Sequence, residues 1–158
     1  MSVPSVRAIT HADDPALPAI VPLFGSMYAE MADQGMLLQL KPDGGSIWLE
    51  GIKSGLERFG RMTIAEVDGR VVGFAHAVVK LAPEHLGGSR VGHIAHVFVA
   101  PDHRRAGLAR ELVASLHTWL GSKQVSSIEL QVVHRNEAAL AFWKSLGYTL
   151  ELMQLRKC

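Results

Sequence analysis

The sequence predicts an α+β domain in which helices pack a mixed sheet. Three observations carry that expectation. Strand-like and helix-like segments follow one another in the order β-α-α-β-β-β-α-β-α-β. Residues 61–67 and 70–80 are strand-like runs joined by Asp68-Gly69, a pair suited to the tight primed turns of a β-hairpin. Finally, the apolar run ending at Val99 passes Pro101, Arg104 and Arg105 and enters an amphipathic helix through small residues.

Taken in order, residues 6–9 read as a short strand. Asp14-Pro15 reads as a helix N-cap followed by proline at the first helical position. The helical stripe that follows to Met31 is interrupted by Pro18 and Pro22, so this helix should be kinked or start late. Residues 42–46 form a break, after which Trp48, Leu49, Ile52, Leu56 and Phe59 recur at helical spacing as core or dimer contacts. Beyond the hairpin, residues 83–92 read as an irregular loop and residues 91–99 as a strand. Residues 107–120 form a helix with Leu108, Leu112, Leu116 and Trp119 or Leu120 on one face, closed by Gly121. Residues 127–134 alternate as a strand, with Ile128, Leu130 and Val132 on one side. Asn136 caps a helix that presents Ala139, Phe142, Trp143 and Leu146 and ends at Gly147, and residues 148–155 form the last strand.

Composition narrows the partners. The length of 158 residues suits one domain over residues 1–158, and a chain of this size buries roughly 68–70% of its unfolded surface. Sixteen basic residues against fifteen acidic ones leave a net charge of +1, no field for a nucleic acid or an anionic membrane. No apolar run approaches the ~20 residues of a membrane span, and residues 1–6 lack the pattern of a signal peptide. Cys158 is the only cysteine, so no intrachain disulfide can form. These features predict a cytoplasmic protein.

The chemistry gathers at the junction after Val99. A helix start carries unpaired N–H groups and the positive end of a dipole, which suits a phosphate or pyrophosphate. Small residues at Ala106, Gly107 and Ala109 let a ligand approach that backbone. The chain contains neither a Gly-x-x-x-x-Gly-Lys-Ser/Thr loop nor a Gly-x-Gly-x-x-Gly fingerprint.

Two motifs then point to a family. Val99-x-Pro101 with Arg104-Arg105-Ala106-Gly107-Leu108-Ala109 resembles the Arg/Gln-x-x-Gly-x-Gly/Ala signature of the GNAT superfamily of N-acetyltransferases. Asn136-x-x-Ala139-x-x-Phe142-Trp143-x-x-x-Gly147-Tyr148 resembles its Asn-x-x-Ala-x-x-Phe/Leu-Tyr-x-x-x-Gly-Phe helix. The resemblance implies the GNAT fold: a mixed, mostly antiparallel sheet with splayed central strands and helices on both faces. It also implies acetyl-CoA as co-substrate, with no metal. The backbone of Arg104, Arg105, Ala106, Gly107, Leu108, Ala109 and Arg110 would then cradle the coenzyme A pyrophosphate. Val97, Phe98 and Val99 would pair with the pantetheine arm as a sheet edge pairs with an added strand. Asn136, Ala139, Phe142 and Trp143 would line the gap that the arm enters.

The implied reaction moves an acetyl group to a primary amine of a small molecule or peptide by direct attack in a ternary complex. An unperturbed amine with a pKa of about 10.4 is neutral only on the order of one part in a thousand near pH 7. Deprotonation is therefore the main need, and imidazole is poised for it. His93 lies eleven residues before Arg104, where relatives place a base acting through water; His96 lies where others carry an acidic residue facing the amine. On a regular strand the two point to opposite faces, and one β-bulge between them would bring both into the cleft. His76, on the preceding strand, could line the same cleft. Trp143 departs from the family's tyrosine, and indole cannot surrender its proton to a thiolate. Tyr28 is a substitute acid; Tyr148 reads as core. The rival reading is a non-catalytic acyl-CoA-binding or sensing module. The identity of the amine is not legible, and although homodimers are common among relatives, no sequence feature decides for one.

Overall fold

The computed structural model describes residues 3–158; Met1 and Ser2, part of the stretch read as lacking a signal peptide, lie outside the described residues. Five strands form one sheet in the order β1-β2-β3-β4-β5. They are β1 (Ser5–Ile9), β2 (Gly60–Val67), β3 (Arg70–Leu81), β4 (Arg90–Val99) and β5 (Ser127–Leu130). The first four pair antiparallel, whereas β5 runs parallel to β4. Helices α1 (Ile20–Asp33) and α2 (Gly44–Lys53) cover one face, and α3 (Leu108–Ser122) and α4 (Glu137–Ser145) the other.

Each face has its own apolar core. Ile9, Phe24, Leu49, Met62, Ile64, Phe74 and Phe98 pack under α1 and α2. Leu108, Leu112, Leu116, Trp119 and Leu120, the predicted stripe, pack with Ala75, Ile94 and Trp143 on the opposite side. The β2–β3 hairpin turns through Asp68 at φ +53° and Gly69 at φ +74°, the left-handed pair that a type I′ turn requires.

Several boundaries differ from expectation for definable reasons. Asp14 does not cap α1. Its carboxylate accepts the Ala16 N–H at 2.9 Å and holds Arg7, and only a single 3-10 turn at Leu17–Ala19 precedes the helix. Pro18 inside an α-helix starting at Pro15 would clash with the carbonyl four residues earlier, so the helix starts late; Pro22 falls in its first turn, where a missing N–H costs nothing. Helix α2 already includes Gly44 and Gly45, and Phe59 lies outside it, 52% exposed rather than core. Gly121 does not close α3, which runs on to Ser122; the left-handed residue that stops it is Gln124, at φ +58°.

Two differences bear on function. β5 ends at Leu130 rather than His134, because its partner β4 turns away there and a strand without a ladder is not held. Residues 148–155 form no strand. The tail adds no strand to the sheet, and Leu150, Leu152, Met153 and Leu155 are 72–89% exposed.

Candidate functional site

The site begins at the irregularity in β4. Opposite β3, His96 pairs with His76 but Ala77 pairs with Ile94, so Ala95 bulges out of register. This is the bulge that the sequence required, and it reverses the alternation. Ile94 faces the α3 core, and His96 packs against Phe24 and Trp48 of α1 and α2. His93 lies on the side of His96, and its ring pairs with Glu129 of β5. Both histidines thus share one face.

The bulge also marks a split in the sheet. β4 and β5 pair from Val91 with Ser127 up to Ile94 with Leu130 and no further, so Val97, Phe98 and Val99 have no strand partner on the β5 side. That leaves an open backbone edge beside a gap, as expected for a site that takes an extended arm by strand-like pairing.

The three histidines sit in different surroundings. The His76 and His96 rings lie 6.4 Å apart and nearly parallel, beside the stacked pair Phe24–Trp48, whose centroids are 3.9 Å apart. Neither Nδ1 has a hydrogen-bond partner. Burial, reinforced by the neighbouring histidines, pushes both down to about 4, so both are neutral at physiological pH. His93 is more open, with its side chain 22% exposed, and its Nδ1 lies 2.8 Å from Glu129 Oε2. Lys80 Nζ lies 2.9 Å from the same oxygen. Lys80 first, and then His93, hold the Glu129 carboxyl below the usual carboxylate range. An ionised carboxylate only accepts, so His93 Nδ1 must donate and the neutral ring presents an Nε2 lone pair. Glu129 escaped the sequence reading, because its pairing with His93 depends on a parallel register between strands more than thirty residues apart, and Lys80 escaped with it, because it joins Glu129 from β3.

Beyond Val99 the chain forms the cradle. Arg105 at φ +67° and Gly107 at φ +81° are both left-handed, and the N–H groups of residues 105–110 find no acceptor among the described residues. Successive unpaired N–H groups in such a conformation make an anion nest at a helix start. A Cβ on Gly107 would meet no protein atom within 4 Å, so it would project into the space that an anion would fill. The Arg104 side chain turns away: its Nε donates to the Val99 carbonyl at 2.8 Å, and its two terminal nitrogens grip Glu30 at 2.9 and 2.7 Å. Arg104 thus ties the cradle to α1, and Glu30 is its partner rather than a lone surface carboxylate.

The second motif forms the cap and body of α4, which packs against α3. Asn136 Oδ1 accepts the Ala139 N–H at 3.0 Å, capping α4 as expected. Phe142 and Ala139 are half-buried, while Trp143 is buried against Phe142 and Tyr148 in the α3 core. The Tyr148 hydroxyl is 2.7 Å from His117 Nε2, and burial pushes it up to about 12, in keeping with a core role. Tyr28 lies one helical turn beyond Phe24, ring to ring at 5.1 Å. Among the described residues no three potential metal ligands converge, and no helix is long and apolar enough to cross a membrane.

A five-stranded sheet split at a bulge, with unpaired N–H groups at the following helix start, defines an α+β domain. The acetyltransferase (GNAT) family model matches residues 35–148, and the chain belongs to that family. It is 33% identical over 113 residues to a mycothiol acetyltransferase of Amycolatopsis mediterranei, a match covering 68% of this chain and 38% of that protein. It is 34% identical over 89 residues to a glucosamine 6-phosphate N-acetyltransferase of Trypanosoma brucei brucei, covering 56% and 57%. The chain therefore spans well under two thirds of either relative. Among solved structures, the aminoglycoside N-acetyltransferase AAC(6')-Iy in complex with CoA superposes with a TM-score of 0.76 at 21% identity, covering 99% of this chain and 96% of that one. A ribosomal-protein-alanine N-acetyltransferase from Brucella melitensis biovar Abortus 2308 gives 0.71 at 21% identity, covering 99% of each chain. These likenesses establish the GNAT fold.

Proposed function

We propose that this chain is an acetyl-CoA-dependent N-acetyltransferase acting on a primary amine, with His93 as the general base. The observation that carries the reading is the His93–Glu129 pair, which lies at the point where β4 and β5 part. The nest at residues 105–110 would hold the coenzyme A pyrophosphate. The open edge at Val97, Phe98 and Val99 would take the pantetheine arm, and Asn136, Ala139 and Phe142 would flank it, whereas Trp143, expected to line the same gap, is buried in the α3 core. The relatives named above include N-acetyltransferases named for glucosamine 6-phosphate, for aminoglycosides and for ribosomal-protein alanine, which supports an amine acceptor here.

The amine nitrogen attacks the thioester carbonyl carbon, its proton passes to His93 Nε2 directly or through one water, and the C–S bond breaks to release the thiolate. His93 suits this role better than His96. His96 packs against Phe24, Trp48 and His76 and is held near 4, so it is a weak proton acceptor. His76 and His96 instead form a neutral wall of the acceptor side. Tyr28, one turn from that wall, is the candidate donor to the thiolate, a step worth 10²–10⁴-fold at most and one that solvent can also supply. The same proposal places the protein in the cytosol as one domain over residues 1–158.

Thiol release from acetyl-CoA across a panel of amines tests the reading. Turnover with at least one amine, lowered roughly 10²–10⁴-fold in His93→Ala with coenzyme affinity retained, is the expected result. Tight coenzyme A binding without thiol release for any amine would instead identify a non-catalytic acyl-CoA-binding module.

A further inference from the structure

The face that His93 shares with His96 is built from rings. Phe24 of α1 stacks on Trp48 of α2, with centroids 3.9 Å apart and planes within 9°. Against Trp48, the ring of His96 lies at 5.4 Å and 82°, and that of His76 at 6.1 Å and 86°. Tyr28 extends the wall one turn along α1, 5.1 Å from Phe24. Phe24 and His76 are buried, whereas Tyr28, Trp48 and His96 are half-buried, so these three are the rings a ligand can reach.

Charge on the elements of this wall is engaged elsewhere. β3 and β4 carry no acidic residue. On α1 and α2, Glu30 holds Arg104 through two bonds, Glu50 holds Lys53 at 2.7 Å, and Asp33 stands at the exposed last position of α1. His76 and His96 are neutral at physiological pH. The segment joining α1 to α2 has the same apolar character, with Leu37 and Leu38 exposed, as is Ile47 beside Trp48 in the chain. A polycationic acceptor is held by carboxylates and a sugar phosphate by cations, through charge-assisted hydrogen bonds. These rings offer neither.

We propose that the acceptor is a primary amine carrying a flat apolar ring, which lies against Trp48, Tyr28 and His96 with the amine toward His93. The proposal rests on the acetyltransferase reading and names the acceptor class for the same site. Aromatic rings gain from offset and edge-to-face contact beyond the area they bury, so this wall favours a ring over a straight chain of similar size. The amine must be neutral to attack, and an apolar wall helps, because desolvation disfavours the charged form. Trp48 is the specificity-determining residue: it supplies the largest ring and lies on α2, which furnishes neither the cradle nor the base.

Thiol release at saturating acetyl-CoA compares 2-phenylethylamine with n-hexylamine, spermidine and glucosamine 6-phosphate. The aryl amine should exceed each of the others in kcat/KM by about tenfold or more. Trp48→Ala should raise its KM about tenfold and erase the preference, with coenzyme A affinity and circular dichroism unchanged, while Trp48→Phe keeps it. Turnover that favours any of the other three amines, or an aryl preference that survives in folded Trp48→Ala, overturns the proposal. The panel on the parent chain decides the acceptor class even where Trp48→Ala fails to fold. Absence of thiol release with every amine is instead a failure of the acetyltransferase reading, and calorimetry on the coenzyme A-loaded chain then reads the ring site by itself. Binding of 2-phenylethylamine about tenfold tighter than hexylamine is expected there; equal or absent binding of the two overturns the proposal.

Discussion

His76 and His96 show what a side chain gives up when the backbone carries it inside. Each is held neutral by its surroundings, down to about 4, while an unfolded imidazole keeps its ordinary value near 6.5. On acidification the unfolded chain takes up the proton first. The stability they contribute is therefore present in full above about pH 6.5 and is lost as the pH falls toward 4. Between pH 7 and pH 5 the loss should be about 2 kcal/mol per histidine. Urea unfolding at the two pH values measures it, and His76→Phe should remove roughly half of the difference; equal stability at both values would refute the assignment. Glu129 offers a second prediction at this scale. Glu129→Gln leaves the cradle untouched but no longer fixes which nitrogen of His93 bears the proton, so kcat should fall about tenfold or more with KM for acetyl-CoA unchanged. A change confined to KM would place Glu129 outside the chemistry.

Among the elements, the junction from β4 to α3 carries the most function for its length. Gly107→Val adds a side chain at φ +81°, at a strain cost of roughly 1–3 kcal/mol, and blocks the nest. Calorimetry should find coenzyme A binding abolished in a protein that still folds; unchanged affinity would remove the cradle from residues 105–110. Arg104 contributes differently, as the tie between this junction and α1. Its pair with Glu30 is about 40% exposed on both sides, so Glu30→Ala should cost less than about 1 kcal/mol of stability. The same change should weaken coenzyme A binding severalfold, because the cradle loses its anchor to the helix. Equal binding by Glu30→Ala and the parent chain would show that the anchor is unnecessary. At this scale too, the elements with strong periodicity were legible in advance: α3 through its leucine stripe, the hairpin through Asp68-Gly69, α4 through its asparagine cap. Those without it shifted, as α1 did under Pro18.

For the whole molecule, the sheet works as a spine with two cores and one deliberate break. The antiparallel part binds β1 to β4 into a rigid unit, whereas the single parallel contact between β4 and β5 holds for four pairs and then opens. The bulge at Ala95 both turns His96 and His93 to one face and ends that contact, so one backbone irregularity makes the gap and furnishes it.

The sequence alone determined the family, the hairpin and the cap of α4, because each depends on side chains or turn residues within about a dozen positions of one another. It also required a bulge if His93 and His96 were to act together. Only the tertiary structure decided that His93 pairs with Glu129 while His96 packs on Phe24 and Trp48, that Lys80 joins Glu129, and that Arg104 spends its charge on Glu30. Those pairings join residues 36 to 74 positions apart. Their geometry follows from strand register and helix packing, which no local pattern of residues encodes.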